Sequence, residues 1–172
     1  MLFTSLPGSK PPTAYYDCRY AVLREPLGFT RGAELLSDDD QAIHAWVELD
    51  DRVVSVGRAH LIPKESDGSG ADHKGPGAAK IPGFGPLGDE NNRPAVQIRQ
   101  MGTIEKYRRQ GLAALVLSAL ESSAKQHISA KLGLLQAREY AIPFYLSQGW
   151  QIIDEPYEIV GIGPHRSMMK HL

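Results

Sequence analysis

A short basic turn that carries one glycine, residues 108–113 (RRQGLA), is the feature that most constrains this chain. An apolar, strand-like run over residues 96–104 precedes the turn, and an amphipathic segment over residues 112–128 follows it. A turn that opens directly into a helix leaves the first backbone N–H groups without intrahelical partners, and the helix dipole adds positive charge there. The pattern therefore predicts a strand, a turn and a helix whose start can bind a phosphate group. A plain connection with solvated arginines is the alternative.

Helical and strand-like patterns alternate along the rest of the chain. Residues 14–23 carry apolar side chains at helical spacing, whereas residues 43–49 and 53–62 have the alternating or β-branched character of strands. The other predicted elements are an edge strand over 1–6, a strand over 131–136, a short helix over 139–148, and closing strands over 150–153 and 167–170. This alternation predicts an α/β fold with a mixed sheet.

The first helix has one apolar stripe, to which Tyr16, Tyr20 and Leu23 belong. Arg19 and Arg24 fall off this stripe, and their side chains are therefore predicted to be exposed. Binding of an acidic group is the alternative for both arginines.

The strand over residues 96–104 changes its pattern halfway. Val96 and Ile98 occupy even-numbered positions, whereas Met101 and Thr103 occupy odd-numbered ones. A regular strand would therefore place the two pairs on opposite faces. One extra residue near Gln100 restores all four to a single face, which is what a β-bulge does. A strand buried on both faces, where parity carries no information, is the alternative.

Residues 64–94 are rich in Gly, Pro, Ser, Asp and Asn and show no periodicity. Such a composition buries too little apolar surface to offset the entropy of ordering the chain. The segment is therefore predicted to be an insertion loop in the sheet, either functional or mobile. Its few apolar residues, Ile81, Phe84 and Leu87, can dock as a lid or against a partner subunit.

Length and composition limit the number of domains and the class of protein. The 172 residues suit one domain over 1–172, and 42% hydrophobic with 23% charged residues is typical of a soluble globular protein. A net charge of −1 gives no support for binding nucleic acid through bulk charge. Without a long apolar run, a signal peptide or a second cysteine beside Cys18, we expect a cytoplasmic protein that binds neither membrane nor nucleic acid.

Two separated segments resemble motifs of one family. Residues 101–113 (MGTIEKYRRQGLA) resemble the acyl-CoA-binding motif of the GNAT N-acetyltransferases, with Arg108, Gly111 and Ala113 at its three defined positions. Residues 141–150 (AIPFYLSQGW) resemble a later motif of the same family, in which a tyrosine precedes a glycine–aromatic pair. Residues 24–28 (REPLG) and 161–165 (GIGPH) further resemble a branch of small bacterial members.

The resemblance implies the GNAT fold: a mixed, mostly antiparallel sheet flanked by helices, with a bulged and splayed central strand. It also implies acetyl-CoA as co-substrate, and because no Cys/His cluster occurs in the sequence, we expect no metal. The pyrophosphate would lie on the helix start and the pantetheine arm along the central strand, with the N–H of Met101 facing the oxyanion. The residues implied in cofactor binding are Met101, Gly102, Thr103, Arg108, Arg109, Gln110, Gly111, Leu112, Ala113, Ala114, Gln136 and Phe144.

The implied reaction is direct transfer of the acetyl group to a primary amine of a small molecule or peptide. Tyr145 would protonate the departing thiolate, because a phenol with a pKa near 10 is protonated at neutral pH. Glu48, His60 and Glu158 are the candidates for the base, and an amine that arrives neutral needs none. A non-catalytic acyl-CoA-binding regulatory domain is the competing function. Whether the chain forms a homodimer, and which amine it accepts, stay open.

Overall fold

The computed structural model describes residues 1–73 and 77–172. Residues 74–76, which fall within the predicted insertion, lie outside the described residues. In chain order the elements are β1 (Leu2–Ser5), α1 (Thr13–Leu23), β2 (Ile43–Leu49), β3 (Arg52–Leu61), β4 (Gly70–Ala71), β5 (Lys80–Ile81), β6 (Ala95–Thr103), α2 (Leu112–Ile128), β7 (Leu132–Arg138), α3 (Ile142–Ser147), β8 (Gln151–Ile152), β9 (Tyr157–Ile159) and β10 (Gly163–His171).

Eight of these strands form one sheet in the order β1-β2-β3-β6-β7-β10-β8, with β9 paired to β10. The β6–β7 pair is parallel and the other pairs are antiparallel. Ala45 and Val47 of β2 pack in one core cluster with α2, whereas Trp46 packs with Tyr15 of α1 in another. Because consecutive strand residues point to opposite faces, the two helices cover opposite faces of the sheet. The predicted mixed, mostly antiparallel sheet flanked by helices is confirmed.

The predicted bulge in the central strand is confirmed at Gln100. Val56 of β3 faces Gly102, and Arg58 faces Arg99, so that two residues of β6 lie opposite Gly57 alone. Gln100 has a φ of +55°, in the left-handed region. Such a bulge bends the strand and strengthens its twist.

The central strand is also splayed from its parallel neighbour. The β6–β7 ladder runs only from Ala95–Leu132 to Gln97–Leu134. On its other side β7 stays paired with β10 from Leu132 to Arg138. On its β7 side, the second half of β6 therefore faces an opening instead of a partner strand, as predicted.

The prediction of the buried stripe of α1 was wrong. The buried side chains are those of Tyr15, Cys18 and Arg19, whereas Tyr16 and Tyr20 are only partly buried. Arg19 can turn inward because its Nη1 lies 3.0 Å from Asp39 Oδ1, which supplies a buried counter-charge. Hydrophobic periodicity could not anticipate this pairing, since Asp39 comes from a separate segment.

The bounds of α2 agree with the prediction. Its buried side chains are those of Leu112, Val116, Leu117, Leu120 and Ala124, whereas Leu115 is 49% exposed. Within residues 1–73 and 77–172, no helix combines the length and the apolar character that spanning a membrane requires.

The low apolar content of residues 64–94 led to a wrong prediction for the second half of this segment, which packs against the sheet. Ile81, Phe84 and Leu87 are all buried, and the last two pack with Leu132 and Leu134 of β7. Arg93 also donates to the carbonyl oxygens of Pro63 and Ser66, at 2.9 and 2.7 Å, which closes the base of the segment. The apolar residues are few, but they cover the sheet surface that α1 leaves uncovered.

Candidate active site

The opening between β6 and β7 contains a cavity of about 140 Å³. The residues that carry its polar chemistry are Arg24, Asp72, Arg99, Gln100, Gln136, Arg138, Tyr145 and His165. Ile98 and Met101 of β6 supply part of its apolar wall. Five segments that are distant in sequence thus meet where the sheet is interrupted.

Tyr145 is held rigidly in this wall. Pro143 stands in the first turn of α3, and the main-chain oxygen of Tyr145 accepts from the N–H of Trp150 at 3.1 Å. The phenol ring lies between Phe144 and Trp150, with ring centroids 5.0 and 6.1 Å away. Burial raises the pKa of Tyr145 above its usual value, with a smaller contribution from Tyr140. The hydroxyl therefore stays protonated over the physiological range and can act as a proton donor.

His165 is a site residue to which the sequence reasoning assigned no role. Its Nδ1 lies 2.7 Å from the carbonyl oxygen of Gly163, and because a carbonyl only accepts, the proton belongs on Nδ1. The lone pair of Nε2 is then free for a proton. Burial lowers the pKa of His165; Arg138 lowers it further, whereas the bond to Gly163, Glu158 and Asp72 oppose the shift. A neutral imidazole in the cavity can serve as a base.

The local pattern could not have revealed His165. The closing strand was predicted to begin at Ser167, whereas β10 begins at Gly163 and pairs His165 with Arg138 of β7. That register brings the imidazole to the opening between the strands.

Arg24 and Arg99 approach the cavity from α1 and β6. Arg24 is 3% exposed, which overturns the prediction of a solvated side chain. Its Nη2 donates to the main-chain oxygen of Asp72 at 2.9 Å and to Gln100 Oε1 at 3.3 Å. Nη2 of Arg99 donates to the same Asp72 oxygen at 3.0 Å and to that of Ala71 at 2.8 Å. The long loop thereby reaches into the cavity and binds both guanidinium groups.

The glycine turn starts α2 in an open conformation. Gly111 has a φ of +79°, and no atom lies within 4 Å of where a Cβ would stand. The N–H of Leu115 donates to the Gly111 oxygen at 3.1 Å, which leaves the three preceding N–H groups of the helix without intrahelical acceptors. Arg108 Nε donates to the Thr103 oxygen at 3.2 Å and ties the turn to the end of β6.

Several of the residues implied in cofactor binding already form hydrogen bonds or packing contacts with other residues of the protein. Thr103 Oγ1 lies 2.8 Å from Ser55 Oγ, and the Gln136 amide accepts from Gln97 at 2.7 Å and donates to Pro82 at 3.0 Å. Gly102 allows α1 to pack closely, because a Cβ there would stand 2.4 Å from Val22 Cγ2. Met101 lines the cavity directly.

The candidate bases from the sequence lie elsewhere. Glu48 is at the far end of β2, two strands from β6, where its Oε1 accepts from Trp46 Nε1 at 2.9 Å. His60 lines a separate cavity of about 850 Å³, and its Nε2 lies 4.0 Å from Asp38 Oδ2. Glu158 is exposed on β9. The structure brings none of the three into the cavity of Tyr145.

The comparisons with known proteins agree with this geometry. A model of the acetyltransferase (GNAT) domain matches residues 76–172, which is more than half of the chain. The chain belongs to the GNAT acetyltransferase family. The resemblance read from the two sequence motifs is thereby confirmed.

A curated relative of this GNAT protein is YitI of Bacillus subtilis (strain 168), an uncharacterized N-acetyltransferase that is 33% identical over 82 residues. The match covers 45% of this chain and 52% of YitI, so the match spans about half the length of the curated relative.

Two solved structures show the same fold. Escherichia coli ElaA aligns with a TM-score of 0.69 at 18% identity, over 99% of this chain and all of ElaA. A GNAT family acetyltransferase from Elizabethkingia anophelis, solved with acetyl-CoA bound, aligns with a TM-score of 0.56 at 13% identity, over 100% of this chain and 97% of its own. At these identities the likeness establishes the fold alone, and the predicted GNAT fold is confirmed.

Proposed function

We propose that this GNAT protein transfers the acetyl group of acetyl-CoA to a primary amine by direct attack. The observation that carries the proposal is the cavity between β6 and β7, which is lined by both a buried phenol, Tyr145, and a buried imidazole, His165. One group can give a proton and the other can take one, which is what acyl transfer to an amine needs.

The donor binds along the open side of β6 in this proposal. The pairing of β6 with β7 stops at Gln97, so the main chain of Met101 to Thr103 is available to a pantetheine arm that lies like an added strand. The N–H groups of Arg109 to Ala114 receive the pyrophosphate at the start of α2, supported by its dipole and by Arg108. Gln136 and Phe144 border the thioester end. The N–H of Met101 donates to the oxyanion of the tetrahedral intermediate.

The proton steps follow from the two ionisable groups. The neutral amine attacks the thioester carbonyl carbon, and as its nitrogen forms that bond it gives one proton to Nε2 of His165. The C–S bond then breaks, the electron pair goes to sulfur, and Tyr145 protonates the thiolate. Transfer of the proton from His165 to the Tyr145 phenolate through solvent restores the starting state. His165 takes the place of Glu48, His60 and Glu158 as the proposed base, because it lines the cavity and they do not.

A screen of primary amines for thiol release from acetyl-CoA tests this function, with mass spectrometry to identify the acetylated amine. We expect at least one acceptor whose product gains an acetyl group in step with CoA release. Binding of CoA without any acetylated product, across small-molecule and peptide amines, would instead favour the non-catalytic regulatory domain.

A further inference from the structure

The cavity of Tyr145 has an excess of positive charge. Three arginines line it, Arg24, Arg99 and Arg138, whereas Asp72 is the one carboxylate among its described lining residues. His165 does not change this balance, because burial keeps it neutral at physiological pH. An amine acceptor that bore only positive charge would be repelled here.

The positive charges of Arg24 and Arg99 are only partly balanced by other groups of the protein. Both side chains donate through Nη2, and both donate to one neutral oxygen, the main-chain carbonyl of Asp72. The Asp72 carboxylate lies 3.9 Å from Arg24 Nη1 and is bound by His73 Nδ1 at 2.7 Å. Among the described residues, the buried Nε of Arg24 has no hydrogen-bond partner.

These two guanidinium groups cost free energy of folding unless a ligand supplies the acceptors that they lack. Arg24 is buried and Arg99 is half-buried, and a guanidinium group that is withdrawn from water needs a paired charge or a full set of acceptors to offset its desolvation. Burial lowers the pKa of Arg24 and of Arg99 to about 10 each, so both remain charged at neutral pH. A carboxylate is the natural complement, because its two oxygens accept from a guanidinium fork in parallel.

We propose that the acceptor amine also carries a carboxylate, which Arg24 and Arg99 bind, so that the substrates are amino acids or similar acidic amines. This inference rests on the proposed acetyl transfer and adds its substrate class. Arg99 also borders the larger cavity that contains His60 and Gln97, which offers the body of such an acceptor a place beside the reacting centre.

Matched pairs of acceptors provide the test. Each α- or ω-amino acid is assayed beside its carboxamide, which keeps the amine and removes the negative charge. We expect kcat/KM to be roughly 10–100-fold higher for the acids, the usual scale for a charge-assisted hydrogen bond. Arg99→Gln and Arg24→Gln should remove most of this preference, and Arg99→Lys should restore part of it. Arg52→Gln, at the exposed start of β3, is the control for loss of a positive charge.

The outcomes of these assays distinguish a wrong substrate class from a failure of the proposed acetyl transfer. The melting temperature with and without CoA shows whether each variant is folded and still binds the donor. Carboxamides that match or exceed the acids, or acids that are unaffected by Arg99→Gln, would overturn the proposal, as would turnover confined to amines without a carboxylate. Loss of CoA binding in Arg99→Gln would also overturn it, since the arginine would then serve the donor. If the wild-type protein neither binds CoA nor acetylates any amine, the proposed function itself fails.

Discussion

Trp150 donates its indole N–H to Oε1 of Glu121 across 2.9 Å and thereby joins the segment after α3 to α2. Lys170 of β10 donates to the other oxygen of the same carboxylate, Oε2, at 2.6 Å. Trp150 is 1% exposed, and its ring packs against that of Tyr145. Glu121 therefore helps to fix the wall that carries the proposed acid, although it lies outside the cavity.

We expect Glu121→Ala to lower the free energy of unfolding by about 1–3 kcal/mol, because the buried indole N–H then loses its acceptor. Glu121→Gln keeps an oxygen for Trp150 and should cost less. Chemical denaturation of both variants measures the difference. If the two substitutions cost the same, the ion pair with Lys170 is the stabilising contact.

The start of α2 gives a prediction about donor binding. Gly111→Asp would place a carboxylate against the pyrophosphate, and we expect it to abolish most of the rise in melting temperature that CoA causes in the wild type. Gly8→Asp is the matched control, because Gly8 also has a positive φ (+85°) and open space around its Cβ position. An equal CoA-induced shift in Gly111→Asp and the wild type would place the donor elsewhere.

The buried half of residues 64–94 predicts that this segment stabilises the fold. Phe84 is 3% exposed and packs against the sheet, so Phe84→Ala should destabilise the fold by about 3–5 kcal/mol. Removal of the whole segment should destabilise it at least as strongly. Thermal unfolding of Phe84→Ala beside Leu61→Ala, a residue 47% exposed, tests this. A loss for Phe84→Ala no larger than that for Leu61→Ala would show that Phe84 does not stabilise the fold and would favour the predicted mobile loop.

The elements that local patterns specify could be predicted from the sequence. The period of residues 112–128 and the glycine before it are enough to bound α2, and the change of parity around Gln100 locates the bulge. The two motifs point to Tyr145 and the glycine turn through the family they resemble. In each case the signal lies within one continuous stretch of the sequence.

The rest depends on contacts between distant segments. Arg24, Asp72, Arg99 and His165 come from four parts of the chain and meet only because β6 and β7 separate. Arg19 is buried because Asp39 neutralises it, which no helical pattern records. Composition likewise could not show that Phe84 and its neighbours find an uncovered strip of sheet, since a few well-placed apolar residues suffice.

Two histidines with strongly lowered pKa values, His44 and His60, predict how stability depends on pH. Burial is the main cause that lowers the pKa of His60 to about 3 and that of His44 to about 4. Arg58 and Arg99 lower the pKa of His60 further, whereas Asp38 and Asp39 raise it. In the unfolded chain each histidine has a pKa of about 6.5, so below that pH the unfolded state binds protons that the folded state does not. The free energy of unfolding should therefore fall as the pH drops below about 6.5, by up to about 1.4 kcal/mol per pH unit for each group.

Denaturation between about pH 7.5 and pH 5 measures this slope. His60→Gln should make it shallower, whereas His127→Gln, on the exposed side of α2, should leave it unchanged. A slope that is identical in the two variants would show that His60 titrates normally in the folded protein.

The last prediction concerns the proposed proton donor, Tyr145. Tyr145→Phe keeps the ring between Phe144 and Trp150 and removes only the hydroxyl, so folding and the affinity for CoA should change little. The chemical step should slow by roughly 10²–10⁴, the usual scale for a lost general acid. The loss should appear in kcat and not in the KM for acetyl-CoA, because the proton is transferred only in the transition state.

The pH profile of kcat distinguishes this role from simple packing. Burial raises the pKa of Tyr145, so the wild-type rate should not fall at high pH until above the usual tyrosine range near 10, and that fall should be absent in Tyr145→Phe. At low pH both proteins should lose rate only below about 6.5, because burial lowers the pKa of the proposed base, His165. Tyr16→Phe, on the partly exposed side of α1, removes a hydroxyl outside the cavity and should keep the wild-type profile. A Tyr145→Phe enzyme with full kcat on its true acceptor would exclude the phenol as the acid, and the thiolate would then have to depart without a proton from the protein.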